Sequence, residues 1–173
     1  RIDQSLGGII IWAPYSGKGV IDVLPAQENL YTVCKRGTLD GRLIEQNVVI
    51  DEIQQTLGPK DYGLFLQSAL NHDIRTIFSQ LTEKSVPIEH ILNGSFDDHD
   101  PTKTDNVPIS LPGKLAAWLY QRYASGYDGH TLIIPTELVH KQGDIIKSGI
   151  ELILSKHGAM KVAERVRENV FIP

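Results

Sequence analysis

Cysteine is almost missing from the chain: Cys34 stands alone among 173 residues. That excludes an internal disulfide and a thiolate metal cluster, and it suits a reducing compartment, the cytoplasm. Long apolar runs are missing as well, so neither a membrane-spanning helix nor a signal peptide is expected. Positive charge is not in excess. Seventeen Lys and Arg against 21 Asp and Glu give a net charge of -4, which argues against a dedicated nucleic-acid binder. The six histidines show no His-x-x-x-His spacing, and no Gly-x-Ser-x-Gly elbow supports serine hydrolysis. Residues 14–19, Pro-Tyr-Ser-Gly-Lys-Gly, hold glycine and lysine, but the spacing of a phosphate-cradling loop is not met: Gly19, not Ser or Thr, follows Lys18, and Val20 stands two residues after it. An exposed turn is the better reading. The chain opens at Arg1 without a start Met, so a fragment or trimmed chain is expected.

What is present is an ordinary globular composition, 41% hydrophobic and 22% charged, in a chain long enough for one domain with a real core. Residues 131–134, Thr-Leu-Ile-Ile, are too short for a helix and lack polar alternation, which predicts a strand buried on both faces. Pro135 should end it, since proline cannot donate to a ladder. Gly143 and Asp144 then open a helix carrying Ile145, Ile146, Ile150, Leu152 and Ile153. Residues 9–13 form a second apolar run, and residues 74–79 a third strand candidate.

Between these, residues 29–36 and 42–49 read as two strands of a hairpin turned at 37–41, where Asp40-Gly41 is the turn signal. A short helix is expected at 51–55 and another at 62–70. Residues 87–106 read as surface loop, 114–123 as a helix introduced by Leu111-Pro112-Gly113, and 159–169 as a charged last helix after the stop at Gly158. Short buried strands alternating with helices indicate a doubly wound parallel α/β sheet, with the hairpin as an insertion or antiparallel edge. In such sheets ligands collect beyond the carboxyl ends of the strands. Thr136 and Glu137, and the loop Ser79-Gln80-Leu81-Thr82-Glu83-Lys84, fall there.

The acidic stretch Asp97, Asp98, His99, Asp100 and Asp105 offers ligand-type groups without a spacing that would converge them. A solvated loop is the better reading, and no metal is expected. Cys34, within a strand pattern, reads as a buried or half-buried structural thiol.

Several segments resemble one family. Gln27-Glu28-Asn29-Leu30-Tyr31-Thr32, Arg36-Gly37 and Gly41-Arg42-Leu43-Ile44 are similar to the Leu-Tyr-Thr, Arg-Gly and Arg-Leu-Ile segments of the polyol-specific long-chain dehydrogenases. The strand at 75–79 with Thr82-Glu83 resembles their Thr-Glu loop. Leu111-Pro112-Gly113-Lys114-Leu115, followed by Leu119-Tyr120-Gln121-Arg122-Tyr123, resembles a helix of the tagaturonate reductase branch, also called altronate oxidoreductases. Ile133-Ile134-Pro135-Thr136-Glu137-Leu138 is similar to that branch's strand, with Thr136 where Cys is usual. Glu137-Leu138 separates it from mannitol and mannonate relatives, which carry Asp-Asn there, whereas Thr82-Glu83-Lys84 leans toward the mannonate enzymes.

The resemblance implies a Rossmann-like, NAD-binding domain spanning 1–173, lacking its first βα unit and the helical carboxyl-terminal domain. It implies hydride transfer between D-altronate and D-tagaturonate, with a sugar acid or polyol as substrate and no catalytic metal. By carry-over, Ala13, Pro14, Ser79, Thr82, Glu83 and Thr136 border the cofactor, and Glu137 and Leu138 lie near the substrate. No segment matches the family's Lys…Asn…His motif, so no catalytic residue is assigned in this chain. Alone, the chain is expected not to catalyse and to bind NAD poorly, and an uncovered sheet face could drive self-association. A non-catalytic α/β domain binding a nucleotide or a partner is the competing reading.

Overall fold

The computed structural model describes residues 8–14, 19–79, 99–136 and 141–173. Among them the elements run β1 (Ile9–Trp12), α1 (Val20–Ala26), β2 (Tyr31–Leu39), β3 (Arg42–Ile50), β4 (Ile53–Leu57), α2 (Tyr62–Ser68), β5 (Thr76–Ser79), α3 (Leu111–Ala124), β6 (Thr131–Pro135), α4 (Gln142–Lys156), α5 (Met160–Asn169) and β7 (Val170–Phe171). The fold is mixed α/β with parallel strand pairs. It divides into two compact units, Arg1–Tyr62 and Gly63–Pro173.

In the first unit β1 pairs in parallel with β4, Ile9 opposite Ile53 and Trp12 opposite Leu57. β4 overturns the short helix expected at 51–55. Ile53 and Leu57 are its two buried apolar residues, and a spacing of four puts them on one face in a helix and in a strand alike. Periodicity alone cannot separate the two, and the ladder to β1 decides for the strand.

β2 and β3 form an antiparallel hairpin from Tyr31 opposite Ile50 to Leu39 opposite Arg42. Asp40 and Gly41 both take positive φ, 50° and 74°, which matches the right-handed twist of the flanking strands. The turn is therefore tighter than residues 37–41, and Gly37 lies inside β2. Cys34 is exposed, contrary to the buried thiol expected. It pairs with Asn47 on the face that also carries Arg36, Glu45, Leu43 and Val49. That face is open: Leu43 is 83% exposed.

The second unit holds most of the buried apolar side chains. Its sheet has the order β5-β6-β7, all parallel. Thr131 and Ile133 of the central strand are buried, while Leu132 and Ile134 are half-buried, so one face is more deeply covered than expected and the other less. Pro135 is the last residue of β6, opposite Ser79. β7, only two residues long, was not anticipated. Helix α3 starts at Leu111, three residues before the expected position. Proline at 112 is compatible with a first turn, where its missing N–H has no partner to lose, and the Ser110 hydroxyl accepts from Gly113 N at 3.0 Å.

Leu115, Trp118 and Leu119 of α3 pack with Ile146, Ile150, Ile153 and Leu154 of α4 and Val162, Ala163 and Val166 of α5. Tyr123, at the end of α3, lies 3.3 Å from the hydroxyl of Thr131 and donates to the Gly129 carbonyl at 3.3 Å. Burial pushes its phenol above the usual tyrosine range.

Candidate functional site

The carboxyl ends of β5 and β6 meet at Ser79 and Thr136, the two cofactor-bordering residues expected from sequence that fall in the described part of this unit. The Thr136 amide donates to the Ser79 carbonyl at 3.0 Å. The Thr136 hydroxyl donates to the same carbonyl at 3.1 Å. Two donors on one acceptor fix the end of the ladder and leave the Ser79 hydroxyl unused. That hydroxyl is buried and has no hydrogen-bond partner among the described residues. A buried hydroxyl in this state is costly to the fold, and a ligand at the strand ends would relieve the cost.

Helix α4 follows β6, so its amino terminus belongs to the same end of the sheet. Lys141, the N-cap, is left-handed (φ 56°) and its side chain makes no capping bond. Gln142, the first helical residue, is 5% exposed, and neither its amide nitrogen nor its amide oxygen is partnered among the described residues. Gly143 follows with the backbone of Pro173 against it, so closely that a Cβ there would collide with the Pro173 carbonyl. The first turn of α4 thus combines partial positive charge, an idle carboxamide and a position that admits no side chain.

Gln142 carries no distinctive signal in the sequence, because a lone Gln is unremarkable there and its burial is a tertiary fact.

In the first unit, Ala13 and Pro14 lie immediately past β1. The Ala13 amide donates to the Leu57 carbonyl at 2.9 Å, so it continues the ladder and is not free to meet a ligand. The Trp12 indole donates to the Gly58 carbonyl at 3.2 Å. Past β4, the Asp61 carboxylate accepts from the Gly58 amide at 2.7 Å.

Thr82, Glu83, Glu137 and Leu138 lie outside the described residues, as do Asp97 and Asp98 of the acidic stretch. Asp100 accepts from the Thr102 hydroxyl at 2.7 Å and the Thr102 amide at 2.9 Å. Those bonds, with help from His157 and Lys103, hold its carboxyl below the ordinary range. The His157 Nδ1 is 4.0 Å from Asp100 Oδ1. Among the described residues no group of three His, Cys, Asp or Glu is arranged to hold a metal ion, and no helix is long and apolar enough to cross a membrane.

No family model matches the chain. Individual curated proteins do. The altronate oxidoreductase of Halalkalibacterium halodurans is 33% identical over 145 residues, 82% of this chain and 27% of that protein. The enzyme of the same name from Bacteroides thetaiotaomicron is 31% identical over 139 residues, 77% of this chain and 27% of its own length. That of Bacillus subtilis is 28% identical over 148 residues, 83% and 29%. The chain spans little more than a quarter of the length of the relatives it matches.

Proposed function

The chain belongs to the altronate oxidoreductase family as a segment of it, and from that premise we propose that it forms part of the cofactor domain of an NAD-dependent sugar-acid dehydrogenase. The reaction is hydride exchange between D-altronate and D-tagaturonate in hexuronate breakdown, in the cytoplasm and without a catalytic metal. The parallel strands of each unit fit a doubly wound, Rossmann-like plan, to which the β2–β3 hairpin is an antiparallel addition.

The observation that carries this reading is the buried, idle Ser79 hydroxyl at the end of β5, held there by Thr136 at the end of β6. In such sheets ligands bind in the crevice at this end. The idle Gln142 amide at the start of α4 supports it. Bound, NAD(H) would accept or donate the hydride. The chain's own part would be binding and orientation: Ser79 and Thr136 would border the cofactor, and the family resemblance assigns Ala13, Pro14, Thr82 and Glu83 to the cofactor and Glu137 and Leu138 to the substrate. Gln142 offers a donor and an acceptor together, which suits a ligand group that both gives and takes a hydrogen bond, such as a carboxamide or a sugar hydroxyl. No proton-transfer role is assigned to these residues.

The test is turnover by the purified full gene product of tagaturonate with NADH, against NADPH and against fructuronate and fructose as comparators. Oxidation of NADH with tagaturonate alone supports the reading. Faster turnover of fructuronate or fructose moves the protein to the mannonate or mannitol branch. No turnover of any of them with either nucleotide overturns the proposal and leaves a non-catalytic α/β domain.

A further inference from the structure

Arg122 is fully buried on α3, and among the described residues no carboxylate is paired with it. Its guanidinium is spent on backbone instead. Nη1 donates to the carbonyls of Ala69 at 3.0 Å and Asn71 at 3.1 Å, and Nη2 to the carbonyl of Ile74 at 2.6 Å. Its Cζ lies 3.8 Å from the Tyr127 ring centre and 5.0 Å from that of Trp118. Trp118, one turn earlier on the same helix, donates from its indole to the Ser68 hydroxyl at 3.0 Å. That hydroxyl donates in turn to the Phe65 carbonyl at 2.6 Å.

These bonds converge on one segment, the link from the end of α2 to the start of β5. Ala69 and Asn71 present carbonyls left over at a helix end, and Ile74 stands two residues before the strand. The Leu132 amide then takes the Arg75 carbonyl at 2.8 Å, and four residues on the ladder closes at Ser79. A strand of four residues has little pairing of its own to set its register, and a slip of one residue would send the Ser79 side chain to the opposite face.

We infer that Arg122 is a positioning residue for the strand-end site: through Ile74 it fixes the height and register of β5 and so the place of the Ser79 hydroxyl. This rests on the reading of that site as part of the cofactor crevice. Lysine cannot substitute. It brings one point charge and no planar fork, so it cannot hold three carbonyls and stack on two rings at once.

Arg122→Lys in the full gene product tests the inference, with Val166→Ala as a control that removes core volume from α5 without touching the link. Both are assayed well below their own melting temperatures. Arg122→Lys should raise the Kd for NADH severalfold, up to about the loss expected from removing the Ser79 hydroxyl itself, while the control lowers Tm with Kd unchanged. Amide hydrogen exchange should quicken at residues 75–79 in Arg122→Lys and not in the control. An unaltered Kd together with unaltered exchange at 75–79 would make Arg122 a packing residue only. If the unsubstituted protein itself binds no nicotinamide nucleotide, the cofactor reading fails, and the exchange comparison alone still decides whether Arg122 sets β5.

Discussion

Ser79 shows at the scale of one residue how stability and binding separate. Its hydroxyl is buried without a partner among the described residues, so it stabilises nothing it is seen to touch. Ser79→Ala should therefore leave the melting temperature unchanged or raise it, since the change removes an unmet donor of the kind that costs about 1–3 kcal/mol. NADH binding by the full gene product should weaken severalfold. A melting temperature that falls while Kd stays fixed would return Ser79 to the fold. Asp100 offers the opposite case. Its carboxylate is stabilised first by the Thr102 hydroxyl, then by the Thr102 amide, with His157 and Lys103 adding to them against a small cost of burial. Its folded pKa is lowered, so the stability it lends is present above the ordinary value of 3.8 and is lost as the pH falls through the lowered value. Thr102→Val should be less stable than the parent near neutrality. In denaturant titrations that gap should close as the pH is taken from about 5 down toward 2. A gap independent of pH would mean that Thr102 acts by packing. Of these residues, Ser79 and Thr136 were legible in the sequence as lying at the ends of short apolar strands, although β5 itself is mostly exposed before Ser79, with Phe78 at 71%. Gln142 and Arg122 were not, because what distinguishes them is burial, and no local pattern encodes the burial of a single polar side chain.

Elements were legible where one signal was strong. The Asp40-Gly41 pair located the hairpin, and the apolar run at 131–134 located the central strand. They were missed where two signals coincided or a segment was too short to carry one. The even spacing of Ile53 and Leu57 fits helix and strand alike, and the two residues of β7 hold no period at all. The hairpin and α3 also differ in what they can lose. Leu43 is 83% exposed on the open face of β3, so Leu43→Lys should alter stability by no more than about 0.5 kcal/mol and improve solubility. Leu119 of α3 is fully buried, and Leu119→Ala should cost about 2–5 kcal/mol by transfer and cavity terms together. Urea denaturation checks both. A large loss at Leu43 would show that its face is covered in the protein.

At the scale of the whole chain, the division into two units was not visible in a sequence without a linker-like stretch. Parallel strands, by contrast, followed from their alternation with helices. Burial is uneven between the units: α3, α4, α5 and β6 supply most of the core, whereas β2 and β3 contain no buried residue. Native-state hydrogen exchange should therefore be slowest in β6 and the middle of α4, and fastest in β2 and β3. Equal protection in the hairpin and in β6 would be incompatible with this distribution.

The hairpin bears on the order in which the chain folds. Forty residues, from Ala13 to Glu52, separate the parallel partners β1 and β4. Closing so long a loop is slow because its entropy is lost before any contact rewards it. Tyr31 and Ile50 face each other at the open end of the hairpin, so once the turn has zipped, in about 1–10 μs for such structures, the path from β1 to β4 shrinks to about twenty residues. Halving a loop recovers roughly 0.6 kcal/mol of closure entropy. An exposed ribbon with no buried side chain thereby becomes a kinetic shortcut. Gly41→Ala, which strains a residue at φ 74°, should slow folding and leave the unfolding arm of the chevron almost untouched.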